Sequence, residues 1–295
     1  MFNDPGLITL TAVTLLAAVV NGGLGYGFSS ITVPVALIFY ANRILNPALV
    51  LVEVALNGYL LFINRKSVPL AWKRVIPILA GLIFGVGVGS QLLSRANPEW
   101  LKLFTYAVVL PLILLQAAGV RRPIHSERLI GVPFGAGVGI LYSLTTISGP
   151  PLALLFNNQG YVKEEFRASL GLIRVAESSL TAIAYYWLGL YSTSSTQILA
   201  SILPSVAIGI PLGAYLIRHM PVETFRRICM SFDAWIVGFG LSRVLIVLQL
   251  LRGPAAYSIW LSVIMIDAYL LYLFFGGRQS TVLRPAESYY RRRQE

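Results

Sequence analysis

Two short segments of the sequence combine glycine with hydroxyl side chains, and each interrupts a long apolar stretch. The first, 21–34, reads NGGLGYGFSSITVP, and the second, 139–151, reads GILYSLTTISGPP. Glycine allows positive φ and close backbone approach, while hydroxyl groups can donate hydrogen bonds to the oxygens of an oxyanion. A helix that begins just after such a break adds free N–H groups, which favour negative charge. The chemistry predicted at both segments is the binding of a small anion.

The residues at these two breaks are the candidate ligands of that anion. In the first segment they are Gly25, Tyr26, Gly27, Phe28, Ser29 and Ser30, and in the second they are Tyr142, Thr145, Thr146, Ser148 and Gly149. Three of them, Tyr26, Phe28 and Tyr142, are also candidates for gates. A sulfonate, a sulfite or a carboxylate suits this set of donors.

Charged residues inside the apolar segments form a second group of candidates. Arg174 and Glu177 lie three residues apart, so they can pair on one face of a helix and reduce the cost of burial. Two roles fit Arg174: it binds the anion directly, or it bridges to Glu53 in the first half of the chain and holds the halves together. Glu53 and Glu177 are also candidate proton carriers, since burial favours the neutral form of a carboxylate.

Other kinds of chemistry are disfavoured by the residues that the sequence lacks. Cys229 is the only cysteine, so an intrachain disulfide and a thiolate zinc site cannot form. His125 and His219 both fall in basic loops, which leaves the serines and threonines of the breaks without a histidine base. We therefore expect no metal, no cofactor and no enzymatic activity.

The elements that position these residues are predicted from composition and hydropathy. The chain is 56% hydrophobic and 12% charged, whereas roughly a quarter of an ordinary globular domain is charged. Uninterrupted apolar stretches of about the length that crosses a bilayer, roughly 20 residues, are predicted at 45–63, 75–93, 101–118, 168–188, 197–217, 228–249 and 256–275. The broken segments 6–40 and 130–157 are predicted to be helical hairpins. The expected fold class is an all-α integral membrane protein.

The net charge of +11 indicates topology rather than a nucleic-acid partner, because the basic residues lie in short loops between apolar segments. The positive-inside rule places the loops at 65–74, 121–128, 163–167 and 218–227 in the cytoplasm, together with the C-terminal tail. On this assignment the N-terminus is outside, the first hairpin enters from outside and the second enters from the cytoplasm. We expect a multi-pass protein of the plasma or inner membrane that contacts lipid.

Each predicted hairpin is followed by three spans, so the two units run in opposite directions through the bilayer as inverted repeats. The predicted division is an N-terminal repeat at 1–128, a C-terminal repeat at 129–250, and an extra span with a basic tail at 251–295. A short internal similarity favours it, since PVALIF at 34–39 resembles PLALLF at 151–156. The space between the facing hairpins is the predicted binding site.

The remaining small and polar residues of the spans have more ordinary expected roles. Two GxxxGxxxG runs are expected to pack helices closely; their glycines are Gly81, Gly85, Gly89, Gly131, Gly135 and Gly139. Asp233 lies near the inner end of its span and is expected to stay hydrated. Asp267, outside the two repeats, is expected to face either a neighbouring subunit of a homodimer or a polar contact.

At the two breaks the chain resembles the sulfite exporter TauE/SafE family of anion permeases. The resemblance lies in Asn21–Phe28 (NGGLGYGF) with Ile31–Pro34 (ITVP), and in Ser148–Leu155 (SGPPLALL) with Phe166–Ser169 (FRAS). Tyr26 stands where many relatives have glycine, and the second break has YSLT at 142–145 in place of a glycine cluster. The resemblance implies export, or in some members uptake, of sulfite, sulfoacetate or another organosulfonate.

Together these observations predict a secondary transporter that moves a small sulfur-containing anion by alternating access, with its site between the two hairpin tips. One alternative is an anion channel built on the same hairpins. Another is a permease for a carboxylate or a different small anion without sulfur. Saturable flux distinguishes a transporter from a channel.

Overall fold

The computed structural model describes residues 5–24, 27–63, 65–118, 127–158, 163–216 and 222–276. Within these ranges the chain forms eleven α-helices, two short 3-10 helices and no strand. The α-helices are α1 (Pro5–Leu24), α2 (Phe28–Ala36), α3 (Asn42–Ile63), α4 (Val68–Arg95), α5 (Pro98–Ala117), α6 (Glu127–Thr145), α7 (Gly149–Asn158), α8 (Lys163–Trp187), α9 (Thr193–Leu216), α10 (Val222–Val247) and α11 (Tyr257–Phe275). The all-α prediction is confirmed for the described part of the chain.

Seven of the described helices are long and apolar enough to cross a membrane: α1, α3, α4, α5, α9, α10 and α11. Helix α8 differs because it contains Arg174 and Glu177, although its 25 residues would extend about 38 Å at 1.5 Å per residue. Helix α6 contains a shorter apolar stretch, Ile130–Thr145. The protein is therefore a multi-pass membrane protein, as the composition predicts.

Each predicted hairpin segment consists of two helices separated by a short break. Residues 25–27 separate α1 from α2, and residues 146–148 separate α6 from α7. Helix α2 has 9 residues and α7 has 10, about half of the roughly 20 needed to cross a bilayer. Neither short helix can cross the membrane alone, so both must rely on contacts with the long helices.

Glycines bring long helices into close contact. A Cβ atom at Gly81 of α4 would lie 1.9 Å from the carbonyl oxygen of Val132 on α6. The same arrangement joins α1 to α9, where a Cβ at Gly213 would lie 1.9 Å from the carbonyl oxygen of Val19. Lipid offers no hydrophobic driving force for helix association. The van der Waals contacts of close packing must therefore stabilise these helix pairs. The predicted packing role of the two glycine runs is confirmed.

The larger contacts between the first five helices and the next five follow a pattern that is unchanged when the two sets are exchanged. Helix α4 packs on α6 as α9 packs on α1, and α5 contacts α7 as α10 contacts α2. The pairs α3–α8 and α5–α10 map onto themselves under this exchange. Each of these pairs joins a helix before the predicted boundary at residue 128 to one after it. The two halves of the chain therefore pack extensively on each other. The domain boundaries themselves stay a prediction.

Helix α11 is joined to α10 by a buried ion pair. Nη2 of Arg227 lies 2.8 Å from Oδ1 of Asp267, and the indole N–H of Trp235 donates to Oδ2 of the same carboxylate at 3.0 Å. Asp267 therefore has a polar contact within its own chain. Pairing of this kind offsets the cost of burying a charge inside the membrane.

Two sequence expectations are wrong in α10. The sequence assigns Arg227 to a cytoplasmic loop, but α10 begins already at Val222 and buries this side chain against α11. Asp233, expected to stay hydrated, is only 7% exposed. Both errors arise because hydropathy gives the approximate limits of a span but not the polar partners that other helices bring to it.

Gly85→Ala should destabilise the protein, while Gly87→Ala on the same helix should be tolerated. A Cβ at position 85 would lie 2.1 Å from the carbonyl oxygen of Ala136, whereas nothing lies within 4 Å of a Cβ at position 87. We expect overpacking at position 85 to cost about 1–3 kcal/mol. Thermal unfolding of the purified protein in detergent measures the difference, and equal midpoints for the two variants would contradict the α4–α6 contact.

Candidate functional site

The carboxylate of Glu53, midway along α3, lies where side chains from three other helices meet. Glu53 is fully buried. Its Oε1 accepts a hydrogen bond from the Ser29 hydroxyl of α2 at 2.7 Å and another from Nη2 of Arg174 on α8 at 2.9 Å. Its Oε2 accepts a hydrogen bond from the Tyr142 hydroxyl of α6 at 2.6 Å. One carboxylate thus joins both hairpins to α3 and α8.

A second buried carboxylate, that of Glu177, holds the other short helix. The hydroxyl of Ser148, one residue before α7, donates a hydrogen bond to Oε1 of Glu177. The same oxygen lies 3.9 Å from Nε of Arg174. This contact parallels the one at Ser29. In each hairpin, a serine at the start of the short helix donates to a carboxylate on the long helix that follows.

The charges of this cluster do not balance. Glu53 and Glu177 are 0% exposed and Arg174 is 3% exposed. With both carboxylates ionised, the three side chains carry one net negative charge. Burial of a charge inside a membrane protein is costly, and only a pair with good geometry offsets much of that cost. Arg174 has such geometry with Glu53 but only a long contact with Glu177.

A third carboxylate lies beside the first hairpin. Asp233 of α10 lies beside Ser30 in the first turn of α2, and the Ser30 hydroxyl donates to the carbonyl oxygen of Gly27 at 3.1 Å. The start of α2 therefore faces two carboxylates of the protein itself, at the place where the sequence predicts an external anion. In the described part of the chain, no group of at least three His, Cys, Asp or Glu side chains is arranged to hold a metal ion.

Among the described residues, each break has one in the left-handed region of backbone space. Gly27 has a φ of 106° and Thr146 a φ of 56°. Glycine adopts positive φ without strain, whereas a β-branched residue rarely does. Two hydrogen bonds hold Thr146: its amide donates to the carbonyl of Tyr142 at 2.6 Å and its hydroxyl to that of Thr145 at 2.7 Å. These bonds explain how the second break forms without a glycine cluster, and strained residues of this kind concentrate at functional sites.

Two asparagines of α3 cap the end of α6 beside the second break. The carbonyl oxygen of Leu144 accepts hydrogen bonds from Nδ2 of Asn46 at 2.7 Å and from Nδ2 of Asn42 at 3.3 Å. A helix C-terminus leaves carbonyl groups without partners, which is costly at membrane depth. Both asparagines were missed at the sequence level, although two amides in the first turns of an apolar span are a signal of such a contact.

Two further polar contacts close to the site were also missed. The Tyr106 hydroxyl of α5 donates to the carbonyl oxygen of Pro34 in α2 at 2.9 Å. Nδ2 of Asn57, one turn beyond Glu53, donates to the backbone carbonyl of Arg174 at 3.3 Å. A polar group buried in an apolar span needs a partner, and that requirement is the only signal the sequence gives for them.

Several of the predicted ligand residues touch these buried carboxylates. They are Ser29, Ser30, Tyr142, Ser148 and Arg174. The contact between Arg174 and Glu53 corresponds to the bridging role that was one of two expected for this arginine. The part of these residues in substrate binding stays a prediction.

The other predicted ligand residues have different surroundings. The hydroxyls of Thr145 and Thr146 donate to backbone carbonyl groups of the same segment. Phe28 is fully buried in the hydrophobic core, and Gly149 is the first residue of α7. Gly25 and Tyr26 lie outside the described residues. The hydrogen-bonding capacity of the breaks therefore comes mainly from their serines and Tyr142.

Comparison with known proteins agrees with the sequence of these hairpins. The model of the family described as sulfite exporter TauE/SafE matches residues 10–241. The protein belongs to this family. The matched region covers most of the chain, from within α1 to within α10, and so includes both hairpins of this TauE/SafE protein. The resemblance seen at the two breaks is confirmed.

A curated relative of this TauE/SafE protein is described as the probable sulfite/organosulfonate exporter TauE of Cupriavidus necator (strain H16). The two proteins are 28% identical over 229 residues, which cover 77% of this chain and 83% of the relative. No solved structure gives a significant match. The family is one of membrane transporters, and the protein is accordingly a transporter.

Removing Arg174 alone should cost more stability than removing it together with Glu53. Arg174→Gln leaves Glu53 and Glu177 buried without the guanidinium, whereas Glu53→Gln leaves Arg174 beside Glu177. Loss of one partner of a buried pair costs about 3–5 kcal/mol, whereas the double substitution leaves two neutral amides.

Thermal unfolding in detergent of the wild type, both single variants and the double variant measures this coupling as a double-mutant cycle. The control cycle uses Arg74 and Glu165, whose charged groups lie 3.2 Å apart but whose side chains are 45% and 15% exposed. An exposed pair of this kind contributes about 0–1 kcal/mol. Additive losses at Glu53 and Arg174 would show that the buried pair is not coupled.

Proposed function

We propose that the protein is a secondary transporter that moves a small sulfur-containing anion, such as sulfite, sulfoacetate or another organosulfonate, across the cytoplasmic membrane by alternating access. Family membership and the description of the Cupriavidus relative support the substrate class. The observation that carries the proposal is the meeting of donors from both hairpins at one place. Ser29 and Tyr142 converge there with Arg174 on a single buried carboxylate.

These donors suit a sulfonate or a sulfite. A carboxylate is itself a small oxyanion, and Glu53 accepts hydrogen bonds from two hydroxyls and a guanidinium. A sulfonate presents three oxygens that can accept from the same kinds of donor. In the proposed mechanism, the substrate competes with the carboxylates of the protein for Ser29, Tyr142, Ser148 and Arg174.

The helix pairing supports two inverted repeats, α1–α5 and α6–α10, with α11 outside them. Exchange of the two sets of five helices leaves the main contacts between the sets unchanged, as expected of two units related by a pseudo-two-fold axis. Transporters built in this way move one unit or bundle against the other around a fixed site. The short helices α2 and α7 would approach the site from opposite sides of the membrane.

Contacts at the ends of the helices support the predicted orientation. Arg74 near the start of α4 pairs with Glu165 near the start of α8 at 3.2 Å. At the other end of α3, the Ser195 hydroxyl of α9 donates to the carbonyl oxygen of Ile44 at 2.9 Å. The basic loops 65–74 and 163–167 thus share one end of the molecule, which we assign to the cytoplasm. The N-terminus is then outside and the C-terminus inside.

Helix α11 presents an apolar surface that we assign to lipid. Large side chains such as Leu261, Met265 and Tyr269 are each more than half exposed, and only 11% of the span is buried within the chain. In water a surface of this kind would be unfavourable, whereas lipid accommodates it. A homodimer stays a prediction.

Uptake into liposomes that contain the purified protein tests the proposed function. We expect saturable uptake of sulfite, sulfoacetate or isethionate, and weaker uptake of sulfate and of a carboxylate of similar size. Vesicles without protein give the background. If folded protein supported no saturable flux of any of these anions, the proposal would be wrong, and single-channel currents would favour an anion channel instead.

Gly27→Ala should reduce transport, while Gly189→Ala should leave it near the wild-type rate. Both glycines have positive φ, 106° and 63°, so either substitution introduces backbone strain. A Cβ at position 27, before α2, would lie 3.2 Å from Cγ1 of Val20, whereas nothing lies within 4 Å of a Cβ at position 189, in the loop after α8. Initial uptake rates per folded protein should differ several-fold. Equal rates would remove the first break from the mechanism.

A further inference from the structure

We infer that the protein couples anion transport to the movement of a proton in the same direction, and that Glu177 carries this proton. The coupling presupposes the anion transport proposed above and assigns a co-transported ion to the same site. The inference rests on the charges and contacts of three buried side chains, Glu53, Arg174 and Glu177.

An anion cannot readily share this site with two ionised carboxylates. With Glu53 and Glu177 both ionised, the cluster carries one net negative charge before any substrate enters. A monovalent anion would place three negative charges against the guanidinium of Arg174, at a depth where unbalanced charge is costly. If one proton enters with the anion, the net charge of the site does not change.

The contacts single out Glu177, rather than Glu53, as the proton carrier. Both oxygens of Glu53 accept hydrogen bonds, and Nη2 of Arg174 lies 2.9 Å from one of them. Glu177 receives the Ser148 hydroxyl on Oε1 and is 3.9 Å from Arg174. No described residue donates to Oε2 of Glu177, which is fully buried. Of the four carboxylate oxygens of Glu53 and Glu177, this one accepts no hydrogen bond from a described residue, so a proton can bind to it without displacing a donor.

The groups that face Glu177 come from its own helix and from three others. Arg174 of α8 attracts its negative charge and Glu53 of α3 repels it. Tyr142 of α6 is close enough to interact electrostatically with Glu177. Ser148 donates a hydrogen bond from the start of α7. Asp233, the remaining carboxylate near a hairpin, faces Ser30 at the other short helix.

Protonation of Glu177 would release donors for the substrate. A proton bound to Oε2 converts the carboxylate to a neutral carboxylic acid, which weakens its attraction for the Ser148 hydroxyl and for Arg174. Both donors can then turn to the oxygens of the anion. When the proton leaves on the other side of the membrane, the restored carboxylate reclaims Ser148 and displaces the anion. One proton and one anion therefore cross together.

Isethionate flux and proton flux, measured in the same liposomes, test this coupling. Isethionate is a suitable probe because a sulfonate stays ionised and carries no proton of its own. A trapped pH-sensitive dye reports proton entry, and potassium with valinomycin holds the membrane potential at zero. A gradient of about one pH unit should drive about tenfold accumulation of isethionate at one-to-one coupling, and isethionate entry should acidify the vesicle interior.

Glu177→Gln should uncouple the two fluxes. We expect this variant to exchange isethionate across the membrane without accumulation along the pH gradient and without proton entry. Glu177→Asp keeps a titratable group and should retain coupling. Glu165→Gln, on the same helix in a partly exposed pair with Arg74, is the matched control and should behave like the wild type.

The outcomes separate this coupling from the proposed function. Saturable isethionate flux without proton movement in the wild type would overturn proton coupling and leave the transporter intact. Coupled flux that persists in Glu177→Gln would overturn the role of Glu177. If no sulfonate or sulfite is transported at all, the proposed function itself fails. Should Glu177→Gln not fold, the wild-type proton-to-anion ratio and the Glu177→Asp variant decide the matter.

Discussion

The burial of the Glu53 charge at membrane depth is the constraint on which the rest of the site depends. A carboxylate there requires donors, and α2, α6 and α8 each supply one, through Ser29, Tyr142 and Arg174. Because these donors include one from each hairpin, a shift of either hairpin would remove a hydrogen bond from a buried charge. Such a loss is costly. The position of one hairpin is therefore energetically linked to the position of the other.

The long and short helices of the hairpins are held by different forces. The long helices α1 and α6 pack backbone to backbone on α9 and α4 through glycines such as Gly213 and Gly81. That packing has little tolerance for displacement, since each added methyl group would overlap a carbonyl. The short helices α2 and α7 are instead held at their starts by hydroxyl-to-carboxylate bonds from Ser29 and Ser148. Bonds of this kind can exchange partners, so the short helices are the parts suited to respond to a ligand.

Hydropathy and composition predicted the membrane fold, the break in each hairpin segment and the packing role of the glycine runs, because these features depend on the type and order of residues along one segment. Arg174 drew attention for the same reason, since a charge in an apolar span is rare. What the sequence could not predict was which groups meet across helices. The contacts of Ser148 with Glu177, Asn46 with Leu144 and Arg227 with Asp267 join residues at least 29 positions apart in the chain. Their pairing depends on helix rotation and depth, which no local pattern encodes.

The two short helices are held by the same kind of contact but not by the same charge balance. Ser29 donates to Glu53, whose charge is offset by Arg174 at 2.9 Å, whereas Ser148 donates to Glu177, which lies 3.9 Å from that guanidinium. In the proposed coupling, a proton that binds Glu177 should therefore weaken the contact that holds α7 before it affects the contact that holds α2. If the hairpins reach the site from opposite sides, release of one before the other opens the site to one side at a time. Strict symmetry between the repeats would give no such order, so in the proposed mechanism the unequal placement of Arg174 would allow the alternation of access to follow the proton.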